Sequence, residues 1–148
     1  MNSLIRPQRI TPPAAPGALL KHTAATASRA FKAEPSDDIR HLRDIRSLPC
    51  LYCGVDPCGE AAHVRMASAA FGKASGLGKR PDDKWALPLC RDDHQNARHA
   101  QHKGSEQAFW EGLGINPLIV CERLHAQRGD LVAMRYVIVQ AIAERSKT

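Results

Sequence analysis

Aromatic residues are scarce in this chain, at 5% of 148 residues. That leaves no material for a large aromatic core. No run approaches the roughly 18 consecutive apolar residues of a membrane-spanning helix, so no membrane is expected among its partners. No internal repeat is visible. Acidic residues are absent from the first 33 positions. An organelle transit peptide shares that feature, but so does a disordered basic arm, which is the reading adopted, with a cytoplasmic location. The cysteine count is five, an odd number. Without a secretory signal pattern, an odd set containing a C-x-x-C pair favours metal over a disulfide framework.

Positive charge is plentiful and unevenly placed. The formal net charge is +6 and the pI is about 9.3. Residues 1–49 hold eight Lys/Arg against four Asp/Glu, residues 50–99 hold seven against six, and residues 100–148 hold six against five. A basic leading third beside a near-neutral remainder suits a polyanion, nucleic acid first and DNA above RNA. Within residues 1–36, Pro7, Pro12, Pro13, Pro16 and Pro35 break helix and sheet patterns, and the apolar content is mostly Ala. The expectation there is disorder, with room for one short helix over Leu19–Lys32. Ser36 offers an N-cap to one or two helical turns that would carry Arg40, Arg43 and Arg46 on one side, as a phosphate-facing stripe or a solvated face.

The chemistry concentrates between Cys50 and His99. Cys50-Leu-Tyr-Cys53-Gly54 reads as a zinc knuckle: a two-residue spacer lets both sulfurs address one ion, and Gly54 permits the tight turn after it. A third thiol, Cys90, follows after 36 intervening residues and precedes Asp93 and His94. A structural zinc takes four ligands in tetrahedral array. The fourth lies among Asp93, His94 and Cys58. If His94 is wanted elsewhere, Asp93 or Cys58 must close the shell. A segment near 60 residues with few large apolar side chains is marginal without such a staple, which can contribute on the order of 10 kcal/mol.

Around the thiols the pattern predicts a short strand over Glu60–Arg65, carrying His63. A basic Gly-rich excursion follows over residues 66–83. A returning strand is expected over Lys84–Leu89, with Trp85, Leu87 and Leu89 alternating. A helix should then run from Arg91 to about Lys103 and stop at Gly104. Ser105 caps a short helix with Phe109, Trp110 and Leu113. Asn116-Pro117 opens another that ends by Gly129, and Asp130 caps a last one whose inner face is Leu131, Met134, Val137, Ile138, Ala141 and Ile142. Cys121 reads as a buried thiol and His125 as a surface residue.

Strand, loop, strand and helix resembles the HNH, or ββα-metal, nuclease superfamily, especially its small phage- and prophage-encoded members. The likeness covers about residues 45–110. It is carried by Cys50-x-x-Cys53, Ala62-His63-Val64-Arg65, Lys79-Arg80-Pro81-Asp82-Asp83, Trp85-Ala-Leu-Pro-Leu-Cys90, His94 and His99. The resemblance implies an α+β fold with a small ββα-metal core and zinc knuckle at residues 45–104. Residues 1–44 would be a disordered or partly helical basic arm, and residues 105–148 a C-terminal helical extension. It further implies an endonuclease that hydrolyses phosphodiester bonds in DNA, in phage or prophage recombination or DNA processing. In that reading His63 is the general base and Arg65 grips the scissile phosphate. His94 and His99 hold a catalytic divalent cation, Mg²⁺ or Mn²⁺, while Cys50, Cys53, Cys90 and Asp93 hold Zn²⁺. Asp83 is a replacement metal ligand or an orienter of His63, and Lys79, Arg80 and Arg98 contact nucleic acid. The sequence departs from the family pattern at Ala62, where many members place Asp or His, and at Trp85, where the eponymous Asn stands. On a regular helix His94 and His99 would lie roughly 140° apart. These departures define the alternative: a catalytically inactive, zinc-stabilised nucleic-acid-binding module. The oligomeric state is left open.

Overall fold

The computed structural model describes residues 37–74 and 80–145, all within one unit, Pro35–Thr148. Residues 1–36 of the arm, with its expected helix and the Ser36 cap, lie outside these residues, as does Lys79. The architecture is α+β: a two-stranded antiparallel sheet with helices around it. Helix α1 spans Asp37–Arg46. Strands β1 (Glu60–His63) and β2 (Ala86–Leu89) pair with Glu60 opposite Leu89, Ala62 opposite Leu87 and His63 opposite Ala86. Both strands are shorter than the sequence pattern suggests. The Val64 N–H still donates to the Trp85 carbonyl at 2.9 Å, carrying the pairing one step further.

Helix α1 turns His41, Leu42 and Ile45 inward and Arg40, Arg43 and Arg46 outward. It packs across both strands. Residues 37–44, grouped with the arm on sequence grounds, are therefore helical and supply Leu42 to the core. Period-two alternation does not describe β2. Ala86 and Pro88 are buried as fully as Leu87 and Leu89, because both faces of the strand are covered.

The helices after the sheet are α2 (Glu106–Leu113), α3 (Pro117–Ala126) and α4 (Leu131–Arg145). Their starts follow local chemistry. The Ser105 hydroxyl accepts the Ala108 N–H, Asn116 accepts from Leu118 and Ile119, and Asp130 accepts from Ala133. Trp110, Leu124, Met134 and Ile138 join Ile45, Leu51, Leu87 and Leu89 in one continuous core. The C-terminal helices thus share that core with the strands. Arg145 adds a tie, donating to the Leu51 and Tyr52 carbonyls at 2.6 and 2.5 Å.

The helix expected over residues 91–103 does not form as such. Asp92–Asn96 make a single π-helical turn, closed by the Ala97 N–H on the Asp92 carbonyl. The chain then folds back. The carbonyls of Asp93 and His94 accept from Gln101 and His102, at 2.9 and 3.2 Å, instead of from residues four ahead. The acceptors that would propagate a helix are taken by the returning chain.

Facing each other between α1 and α3 are His41 and His125, ring centroids 5.3 Å apart and edge to face. Both ring nitrogens of His41 are buried without a hydrogen-bond partner. Burial, the charge of His125 and that of Arg128 lower its pKa from 6.5, against smaller upward pulls from Asp44 and Asp38. His125 shifts the same way, through burial, Arg128 and Lys84. The unfolded chain therefore binds these protons first as pH falls. The stability linked to them is complete above pH 6.5 and is lost as pH drops through the lowered folded-state values. Urea unfolding followed across pH is expected to show a midpoint that falls below about pH 6.5, and His41→Leu should flatten most of that slope.

Candidate functional site

The knuckle is built before its ligands are placed. The Gly54 N–H donates to the Cys50 carbonyl and the Cys50 N–H to the Val55 carbonyl, closing a tight loop in which Gly54 takes φ 79°. The Leu51 N–H donates to the Pro88 carbonyl, which docks that loop beside the exit of β2. Cys90 leaves β2 there, and the π-helical turn swings Asp93 back toward it. The ligand atoms of Cys50, Cys53, Cys90 and Asp93 all lie within 4.8 Å of one another, close enough to bind one metal ion. Asp93 Oδ2 is 3.2 Å from the Cys50 sulfur and 3.1 Å from that of Cys90, and the Cys53 and Cys90 sulfurs are 3.7 Å apart. Three soft sulfurs and one carboxylate fit a tetrahedral ion of the zinc type.

Cys58 stands apart from this group. Its thiol donates to the carbonyls of Glu60 and Ile45, and burial pushes its pKa to about 11. Burial also raises the pKa values of the Cys50, Cys53 and Cys90 thiols. Burial works against the Asp93 carboxylate too. Hydrogen bonds from Cys53, His99, Cys90 and Cys50 outweigh it and hold its pKa below the usual range.

His99 is not brought to His94. Its Nε2 meets Asp93 Oδ1 at 2.8 Å, and its ring stacks on Tyr52 with centroids 4.5 Å apart. His99 therefore buttresses the metal cluster. The partner of His94 is His102, which sequence reasoning passed over: the two Nε2 atoms are 3.0 Å apart. Glu60 Oε2 accepts from His94 Nδ1 at 2.7 Å, leaving the His94 Nε2 lone pair pointed at His102. Burial, His94 and Arg65 lower the pKa of His102, which favours its neutral form. Burial works against the Glu60 carboxylate, yet hydrogen bonds from His94 and Arg91 keep its pKa low. Two imidazole nitrogens that face each other, one ring anchored by a carboxylate, suit a divalent cation. His102 follows His94 by eight residues, a spacing no regular helix turns into a contact, so only the fold-back after Asn96 reveals it.

His63, on β1, points its Nε2 at Asp83 Oδ1, 2.9 Å away, with both side chains 19% exposed. Arg80 donates to the same oxygen at 2.6 Å. A carboxylate only accepts, so Nε2–H is the donor in this contact. Asp83 thus bonds directly to the His63 ring. Arg65 keeps its side chain exposed while its N–H is held by both oxygens of Glu106, at 3.1 and 3.0 Å. Gln101 bridges the pair, donating to the His63 carbonyl at 3.1 Å and to Glu106 at 2.7 Å. Glu106 and Gln101 were not foreseen, because their contacts span up to 41 residues. Arg98 is exposed. Ala62 and Trp85 are core residues.

Compared with protein families, with curated proteins and with solved structures, the chain matches none. The reading of this site therefore rests on its own geometry.

Metal analysis of chain purified without chelator should find one divalent ion that survives dialysis. Cys90→Ser should lose it and lower the melting temperature. Cys58→Ser, which alters a thiol outside the cluster, should retain it.

Proposed function

We propose that this protein is a metal-dependent endonuclease of the HNH type, hydrolysing phosphodiester bonds in DNA. One observation carries the reading. A histidine on the first strand of a two-stranded sheet is paired through Nε2 to a carboxylate, with the second nitrogen left as a base. Hydrolysis needs a water to lose a proton as it attacks phosphorus. His63 Nδ1 takes that proton, and Asp83 holds the ring in the right tautomer and stabilises the imidazolium that results. Arg65, two residues on and exposed, pairs with the phosphate, its backbone fixed by Glu106. His94 and His102 would hold the cation, with Glu60 behind His94. When bound, that cation neutralises charge on the phosphate and on the departing oxygen. Cys50, Cys53, Cys90 and Asp93 would hold zinc as a staple away from the chemistry, with His99 behind Asp93. Phage or prophage recombination or DNA processing is the setting this activity fits.

Plasmid nicking by the full chain, with Mg²⁺, Mn²⁺ or Ni²⁺ supplied in turn, tests the proposal. Cleavage should need an added cation and fall by about 10²–10⁴-fold in His63→Ala. Should neither protein cut any form of DNA, with the zinc cluster filled and the fold intact, the enzyme reading gives way to the binding module.

A further inference from the structure

Beside this site lies a cleft of about 680 Å³ whose walls are the segment after Arg65 and helix α2 with the start of α3. Both walls are continuous with the site. Met66 follows Arg65 directly, and Gln107 follows Glu106, whose carboxylate holds the Arg65 N–H. The lining has two chemistries. Met66, Phe71 and Ile115 offer apolar and aromatic surface, with buried Trp110 behind them. Ser68, Gln107 and Asn116 offer a hydroxyl and amides, and the Asn116 cap uses only its Oδ1, so its N–H groups take no part in the cap. Among the described residues no cationic side chain lines the cleft, and Glu111 adds a negative charge. That lining does not favour a phosphate. The cleft suits a flat, uncharged heterocycle that is apolar on its faces and hydrogen-bonding at its edge, and its volume is in the range of small-molecule sites.

We infer that the cleft receives an unpaired nucleobase next to the phosphodiester held at Arg65. The inference rests on the nuclease reading and narrows its substrate. A base stacked in duplex exposes only its edges, so a strand that fills the cleft is single-stranded, gapped or locally opened there. Base–aromatic contact then adds to affinity independently of sequence.

The test measures equilibrium binding by fluorescence anisotropy, using full-length His63→Ala chain so that no probe is cut. The probes are a short labelled single strand, an abasic strand of equal length and charge, and the matching duplex. The normal strand should bind about ten-fold or more tighter than either alternative. Phe71→Ala should bring the normal and abasic strands close to equal affinity without changing abasic binding. Ile115→Ala, on the opposite wall, repeats the comparison should Phe71→Ala fail to fold. Equal affinity for normal and abasic strands, or a preference that survives both substitutions, overturns the assignment. If no probe binds, the pocket and the nuclease reading fail together. If base-dependent binding is found and the wild-type chain still cuts nothing, the pocket stands and the nuclease reading falls alone.

Discussion

The carboxylate of Asp93 is the joint on which the described structure turns. One oxygen faces the thiols of Cys50 and Cys90, and the other holds His99. Its carbonyl accepts the Gln101 N–H and its own N–H lies 3.5 Å from the Cys90 sulfur. These contacts tie together the knuckle, the exit of β2, the π-helical turn and the fold-back that follows. Burying a carboxylate is costly unless its lone pairs are satisfied. Here the satisfying groups come from three separate places in the chain, the knuckle, Cys90 and His99, so the cost is offset only when all of them are in position. A cation among the sulfurs would make the arrangement stronger still.

The fold-back connects this joint to the residues proposed for chemistry. It sets His102 beside His94, and it sets Gln101 under the His63 carbonyl and against Glu106. Through Glu106 the network reaches the Arg65 backbone and the Trp110 indole. The proposed base, phosphate-binding group and cation ligands therefore sit on a shared hydrogen-bonded frame whose far end is the thiol cluster. In the proposed nuclease this separates two duties: sulfurs hold the frame, and nitrogens do the work. Preorganisation of that kind lets short, aromatic-poor elements position reactive groups.

Burial and chemistry part company at Ala62 and Trp85. In the proposed HNH reading both occupy places where that family carries polar functional groups, and both are core residues here. In the proposed reading the duties of those groups fall to residues on other segments. Asp83 orients His63 from the loop before β2, and His102 supplies a nitrogen from beyond the π-helical turn. Such reassignment keeps the strands apolar enough to be covered on both faces of β2 while leaving the polar groups at the rim.

What the sequence by itself determined is what local chemistry controls. The Cys50-x-x-Cys53-Gly54 turn closes through hydrogen bonds within five residues, and the starts of α2, α3 and α4 follow Ser105, Asn116-Pro117 and Asp130 because a cap needs only its own first turn. The His63 strand, its partner strand and the place of Cys90 beside the knuckle were legible for a similar reason, since spacing limits which thiols can share an ion. The tertiary structure decided the pairings. Helical spacing cannot say that Asp93, and not Cys58, completes the cluster, that His99 backs Asp93, or that His102 meets His94. Those outcomes depend on where a π-helical turn ends and how the chain reverses. That reversal is set by backbone acceptors at Asp93 and His94 and by core contacts that also draw on α3 and α4. Long-range hydrogen bonds have no sequence period, and so Glu60, Gln101 and Glu106 show their roles only once the chain has folded.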